Sequence, residues 1–213
     1  MALVHCHFFS QTLGRMTALS ALLPEPGQDC DPPDEPVRYP TLYLLHGLSD
    51  DHTVWLRRTS LERYLEGRRL AVVLPAAGRS FYTDALRGQR YWSFVSEELP
   101  RLARHLFPLS ARREENFAAG LSMGGYGAFK LALAHPERFA AAASLSGALD
   151  VARLVEEEQA AGTSELQDIF GPAEGLAHSP DNLFHLAAQL VRRPGARPAL
   201  YQWCGTGDFL HAD

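Results

Sequence analysis

Ser122 lies in the run Gly120-Leu121-Ser122-Met123-Gly124, where a glycine stands two positions to either side of the hydroxyl-bearing residue. An apolar run, Asn116 to Ala119, precedes this motif, and a helix-like run, Gly124 to His135, follows it. A serine on a sharp strand-to-helix turn has a strained backbone, needs glycine beside it and faces the free N–H groups of the helix. The pattern therefore predicts a nucleophilic serine that attacks the carbonyl carbon of a carboxylic ester or thioester. An ordinary glycine-rich turn is the alternative, which the strand and helix context disfavours.

Two backbone N–H groups are candidates to stabilise the negative charge that develops on the substrate oxygen. Met123 N–H stands at the start of the predicted helix, where the helix dipole is positive. Leu48 N–H is the second, because the apolar run Thr41 to Leu45 ends in His46-Gly47-Leu48 upstream of the serine. We interpret His46 as a brace for this loop or as a satisfied interior histidine, and favour both over a general base.

Asp208 is the candidate for the carboxylate that orients a catalytic histidine. It follows Gly207 in a loop that the strand-like run Ala199 to Trp203 opens into. A buried carboxylate at this place would hold a histidine in the required tautomer and stabilise the imidazolium that forms during attack. A turn-forming aspartate beside a glycine is the alternative.

The elements that must position these groups alternate along the chain, since short apolar runs are separated by longer helix-like runs. This alternation predicts an α/β fold with a mostly parallel central sheet and helices on both faces. An opening hairpin is predicted from Leu3 to Phe9 and Met16 to Leu23, followed by a proline-rich solvated loop from Pro24 to Pro40. The predicted buried parallel strands are Thr41 to Leu45, Leu70 to Leu74, Asn116 to Ala119, Ala140 to Ser144 and Ala199 to Trp203, and the predicted helices are Trp55 to Glu66, Tyr91 to Phe107, Gly124 to His135 and Val151 to Ala160.

Residues 151–193 are predicted to form a helical excursion that caps an acyl pocket. Three aromatic residues, Trp55, Tyr82 and Trp92, could line that pocket, but packing at the ends of elements is the favoured interpretation. The run Glu156-Glu157-Glu158 is interpreted as a solvated helix face, and no metal site is predicted.

Composition narrows the class of protein. The length of 213 residues and the 46% hydrophobic content predict a single domain over residues 1–213. A net charge of -5 argues against a nucleic-acid partner. Three scattered cysteines, Cys6, Cys30 and Cys204, predict neither a disulfide framework nor a zinc site and favour a reducing cytoplasm. No signal peptide or apolar run long enough to span a membrane is recognised, so no membrane partner is predicted.

With these motifs in hand, the chain resembles the esterase D and S-formylglutathione hydrolase-like family of esterases, in particular the small bacterial tributyrin esterases. Feruloyl esterases and mycolyltransferases are more distantly similar. The residues that carry the resemblance lie in five segments spread over nearly the whole chain: 44–55, 78–84, 94–100, 119–128 and 204–210.

The resemblance implies an α/β-hydrolase fold and a cofactor-free serine esterase that cleaves small, short-chain carboxylic esters. In that family's pattern Ser122 matches the nucleophile, Asp208 the acid, and Leu48 and Met123 the oxyanion donors. A thioesterase of the S-formylglutathione hydrolase type, or an acyltransferase, is the alternative. The thioesterase resemblance is weaker because Ser49, Asp50 and Asp51 stand where those enzymes usually carry a cysteine. The family resemblance also makes a homo-oligomer plausible.

The main departure from the family pattern lies at the C-terminus. The resemblance implies that the triad histidine comes a few dozen residues after the acid, whereas only five residues follow Asp208 here. His211 stands three positions after the acid on the same short loop and is poorly placed to bridge it to Ser122. We therefore expect this chain to be C-terminally incomplete, without the final strand, the final helix and the base. A catalytically impaired hydrolase-like protein is a further alternative.

Overall fold

The computed structural model describes residues 1–25 and 37–211. A mixed sheet of seven strands crosses these residues in the order β1-β2-β4-β3-β5-β6-β7. The first three strands in this order pair antiparallel, and every other pair is parallel. The strands are β1 Ala2–Ser10, β2 Arg15–Leu23, β3 Thr41–Leu45, β4 Ala71–Pro75, β5 Asn116–Leu121, β6 Ala141–Leu145 and β7 Ala199–Trp203. The predicted opening hairpin and mostly parallel sheet are thus confirmed, whereas most of the predicted loop from Pro24 to Pro40 lies outside the described residues.

Eight α-helices connect the described strands or extend from them. They are α1 Val54–Arg58, α2 Leu61–Leu65, α3 Tyr91–Ser93, α4 Leu99–Leu106, α5 Met123–Ala134, α6 Val151–Ala160, α7 Glu165–Phe170 and α8 Leu183–Arg192. A π-helical turn, Phe94–Glu98, joins α3 to α4, and two 3₁₀ turns span Arg113–Glu115 and Ala173–His178. None of the helices in the described ranges has both the length and the apolar character needed to cross a membrane.

The predicted single helix from Trp55 to Glu66 is wrong, because the chain breaks between α1 and α2. Thr59 adopts extended dihedral angles there, with φ -136° and ψ 171°. Its hydroxyl donates to the Trp55 carbonyl at 2.5 Å and accepts from Leu61 N–H at 3.2 Å. The side chain thus replaces backbone hydrogen bonds that would continue the helix, which explains the break.

Hydrophobic side chains pack on both faces of the sheet, as predicted. On one face Leu22, Leu44, Val72 and Leu74 pack with Leu65 of α2. The larger core lies on the other face, under α4 and α5, and takes residues from the same strands at alternate positions, such as Tyr43 and Leu45 of β3. This alternation follows from the pleat, which directs successive side chains to opposite faces.

The strand β7 differs from its prediction in burial. Residues 199–203 form a strand that pairs in parallel with β6, as expected. All five of its residues are exposed, however, including Tyr201 and Trp203, whose exposed fractions are 59% and 56%. The strand is exposed because it has a neighbouring strand on one side only and no described helix packs across either of its faces.

Candidate active site

Ser122 stands at the tight turn between β5 and α5. Its backbone angles are φ 55° and ψ -120°, a region that non-glycine residues adopt rarely and at a cost of about 1–3 kcal/mol. Hydrogen bonds hold the turn: Ser122 N–H donates to the Leu145 carbonyl at 3.0 Å, and the Ser122 carbonyl accepts from Gly125 N–H at 2.9 Å. The turn presents a partly exposed serine at the carboxyl ends of the parallel strands.

The two glycines of the motif are required by close backbone approach. A Cβ atom on Gly120 would lie 2.2 Å from the carbonyl group of Gly124. A Cβ atom on Gly124 would lie 2.4 Å from the Leu45 carbonyl oxygen. Any larger residue at either position would therefore push β5, α5 or β3 away from the turn.

Two unpaired N–H groups lie on either side of the serine. Met123 is the first residue of α5, is fully buried, and has no intrahelical acceptor for its N–H. Leu48 follows Gly47, on which a Cβ atom would lie 3.8 Å from the Cβ of Ser122. Within the part of the chain that the structure describes, neither the Met123 nor the Leu48 N–H donates to a backbone acceptor. The loop that carries Leu48 and the first residue of α5 thus both lie next to Ser122, and each has a backbone N–H without a described backbone acceptor.

His46 is a buried, fully bonded histidine. Its Nδ1 donates to the Gly47 carbonyl at 2.7 Å, and its Nε2 accepts from Ala77 N–H at 3.0 Å. Burial lowers its pKa, although the Gly47 carbonyl and the nearby Asp50 oppose that shift. A neutral ring with both nitrogens engaged cannot accept a proton from Ser122, so His46 braces the loop, as the sequence suggested.

Asp208 lies on the loop that follows β7. Its Oδ1 accepts from Leu210 N–H at 2.9 Å. This bond is the main cause that lowers the pKa of Asp208, with smaller contributions from the Ser146 hydroxyl and the charge of His211, so the carboxylate stays ionised at neutral pH. The carboxylate is only partly buried, in contrast to the buried acid expected from the sequence.

Ser146 joins the end of β6 to the end of β7, which precedes the Asp208 loop, and sequence reasoning missed it. It directly follows β6, has φ 44°, and donates its N–H to the Trp203 carbonyl at 2.7 Å. Its neighbour Leu145 accepts the N–H of Ser122. The end of β6 thus contacts both the Ser122 turn and the end of β7, and a hydroxyl residue just past a predicted strand was the available signal.

Comparison with known proteins gives one family and several similar chains. The family model "Putative esterase" matches residues 10–206. An acetyl esterase from Caldicellulosiruptor saccharolyticus is 31% identical over 218 residues, which cover 99% of this chain and 82% of the relative.

Two solved structures from Staphylococcus aureus are also similar. Substrate-bound FphF, a fluorophosphonate-binding serine hydrolase, has a TM-score of 0.88 and 34% identity, and the match covers 99% of this chain and 82% of that one. The apoenzyme of the S-formylglutathione hydrolase FrmB has a TM-score of 0.85 and 34% identity, with 100% of this chain and 82% of that one covered. These likenesses confirm the predicted α/β-hydrolase fold.

Proposed function

We propose that Ser122 is the nucleophile of a serine esterase, since this chain belongs to the "Putative esterase" family. The match to this family model confirms the predicted family. Together with the similar acetyl esterase and the similar serine hydrolase, it also confirms the prediction of a carboxylic ester hydrolase. One observation carries the assignment of the residue. Among residues 1–25 and 37–211, Ser122 alone combines a positive φ at the start of a buried helix with two neighbouring N–H groups that have no backbone acceptor.

The reaction proceeds through an acyl-enzyme. Ser122 Oγ bonds to the carbonyl carbon, and the N–H groups of Leu48 and Met123 donate to the oxygen that becomes negative. Collapse of this intermediate expels the alcohol and leaves the acyl group on Ser122, after which water releases the carboxylic acid. Asp208 would orient the histidine that carries the proton from Ser122 to the leaving alcohol, and we assign no described histidine to that role. That histidine is not His46, because both of its ring nitrogens are engaged.

We propose that the substrates are small, short-chain carboxylic esters. Residues 151–193 form the cap of the acyl pocket, and the chain folds as a single domain. Support for the cap comes from its contacts beside the serine. The ring of Phe170 in α7 packs edge-on against Phe81 with centroids 5.4 Å apart, and Phe81 N–H reaches the Met123 sulfur at 3.2 Å. Glu165 pairs with Arg79 at 2.5 Å. The similar acetyl esterase supports a short acyl group.

A thioesterase of the S-formylglutathione hydrolase type is the second candidate, since FrmB is similar over the whole chain. The same serine and N–H groups serve both reactions, because both pass through a tetrahedral oxyanion.

The cytoplasmic location and the homo-oligomer stay predictions. Cell fractionation tests the location, and size-exclusion chromatography tests the oligomeric state.

The test is hydrolysis of p-nitrophenyl acetate, p-nitrophenyl butyrate, tributyrin and S-formylglutathione by the full-length gene product and its Ser122→Ala variant. We expect Ser122→Ala to abolish turnover of every ester, because removal of a triad nucleophile leaves only the contribution of the oxyanion hole and binding. The exposed Ser60→Ala change, at the start of α2, is the matched control and should leave turnover unchanged. Turnover retained by Ser122→Ala would refute the nucleophile, and faster turnover of S-formylglutathione than of butyrate would favour the second candidate.

A further inference from the structure

Two consecutive aromatic residues next to the site have a left-handed backbone. Phe81 has φ 49° and Tyr82 has φ 51°, and the exposed fractions of their side chains are 4% and 0%. L-residues with bulky side chains rarely adopt such angles, which persist where the surrounding structure enforces them and cluster at functional sites. The observed strain therefore calls for an account of what the segment holds in place.

Side chains of the same segment enforce the turn. Tyr82 N–H donates to Ser80 Oγ at 3.0 Å, and Thr83 Oγ1 donates to the Phe81 carbonyl at 3.1 Å. The buried Lys130 of α5 donates to Thr83 Oγ1 at 2.8 Å. The turn is thus anchored to the helix that begins after Ser122.

The strained turn contacts both sides of the proposed oxyanion hole. The Tyr82 hydroxyl donates to the His46 carbonyl at 2.9 Å. This carbonyl belongs to the peptide group directly before the one that contains the Leu48 N–H. On the other side, Phe81 N–H contacts the sulfur of Met123 at 3.2 Å. Burial raises the pKa of Tyr82 well above its ordinary value, so the hydroxyl remains a hydrogen-bond donor at any working pH.

The nucleophile helix is shaped to accept the Tyr82 ring. A Cβ atom on Gly127 would lie 2.5 Å from the Cδ2 atom of Tyr82, so only glycine leaves room at this position. The ring is therefore held between α5 and the loop that carries Leu48, and its hydroxyl has one fixed partner.

We propose that Tyr82 is a positioning residue of the oxyanion hole, which holds the His46 carbonyl and thereby directs the Leu48 N–H toward the oxyanion. The inference rests on the proposed function, because it needs Leu48 as an oxyanion donor. A purely packing role would require the ring alone, whereas the positioning role requires the hydroxyl.

The test compares Tyr82→Phe with Tyr126→Phe in the full-length gene product. Tyr126 is an equally buried tyrosine of α5, and its hydroxyl also donates to a backbone carbonyl, that of Asp181, at 2.7 Å. Each variant keeps the ring and loses one buried hydrogen bond. With p-nitrophenyl butyrate, Tyr82→Phe should lower kcat roughly 10- to 100-fold with KM within about twofold, since a misdirected donor acts only in the transition state. Tyr126→Phe should leave both parameters near the wild-type values.

Binding of n-butylboronic acid gives a second readout that needs no turnover. This reagent forms a tetrahedral adduct with the hydroxyl of an active-site serine. We expect Tyr82→Phe to weaken this binding about tenfold, while Tyr126→Phe retains it. Equal behaviour of the two variants in both assays would overturn the inference and leave the esterase assignment intact. If Ser122→Ala still binds the boronate, the proposed nucleophile is wrong, whatever Tyr82 does.

Discussion

At the scale of single residues, His46 shows how burial selects a protonation state. Protonation would place a hydrogen on Nε2, which faces the Ala77 N–H and has no acceptor there. The lowered pKa means that the folded protein binds fewer protons than the unfolded chain below about pH 6.5. The stability that this group contributes is therefore present above that pH and lost as the pH falls.

A His46→Gln variant tests this linkage. Glutamine can accept from Ala77 N–H but cannot gain a proton, so the loss of stability between pH 7 and pH 5 should become shallower by up to about 1.4 kcal/mol per pH unit. Urea unfolding at several pH values measures the slope. The exposed His105→Gln change is the control and should leave it unaltered. An unchanged slope in His46→Gln would contradict a depressed pKa at this residue.

At the scale of elements, the π-helical turn Phe94–Glu98 holds the opening hairpin against the rest of the fold. The Glu98 carboxylate is buried and accepts from Ser10 Oγ at 2.6 Å, Gln11 N–H at 2.9 Å and Thr12 N–H at 3.0 Å. Burial by itself raises its pKa, but these donors outweigh it and hold the pKa below the ordinary value of 4.5. The carboxylate thus closes the tip of the β1–β2 hairpin, which has no other acceptor at these positions among the described residues.

Replacement of Glu98 by glutamine should destabilise the protein by about 2 kcal/mol at pH 7, because an amide NH₂ would face the backbone donors. The depressed pKa means that the stabilisation is present above about pH 4.5 and lost as the pH falls, so the difference from wild type should shrink toward pH 3. Thermal unfolding at both pH values measures it. Glu97→Gln removes an exposed carboxylate paired with Arg138 at 2.9 Å and should cost less than about 1 kcal/mol. Equal losses in the two variants would refute the account.

At the scale of the whole molecule, a buried lysine joins three segments distant in sequence. Lys130 of α5 is 1% exposed, pairs with Asp181 before α8, and lies 4.6 Å from the centroid of the Trp92 ring in α3. Burial lowers the pKa of Lys130, and the Asp181 carboxylate opposes that shift. The charge therefore depends on its partner, and the partner fixes the segment before α8 onto the nucleophile helix.

Lys130→Met should destabilise the protein by about 3–5 kcal/mol, because it leaves the Asp181 carboxylate without its cation. The double variant Lys130→Met/Asp181→Asn should recover part of that loss. A double-mutant cycle by urea unfolding measures the coupling between the two residues. Additive losses, with no coupling, would show that the pair does not hold the segment.

The amino-acid sequence by itself determined the features that depend on neighbours along the chain. The strand, turn and helix around Ser122 were predictable because glycine spacing and apolar runs act locally. The hairpin and the parallel strands were predictable for the same reason, and the family resemblance supplied the esterase chemistry.

Only the tertiary structure decided which distant groups meet. The hydrogen bond from Ser146 N–H to the Trp203 carbonyl, the fixed tautomer of His46 and the contact of Tyr82 with the His46 carbonyl join segments that lie far apart in the chain. The exposure of β7 likewise depends on tertiary structure, because no described helix packs across its faces. Packing in three dimensions decides which of these groups meet. The residue periodicity of one segment does not indicate which distant segment will pack against it.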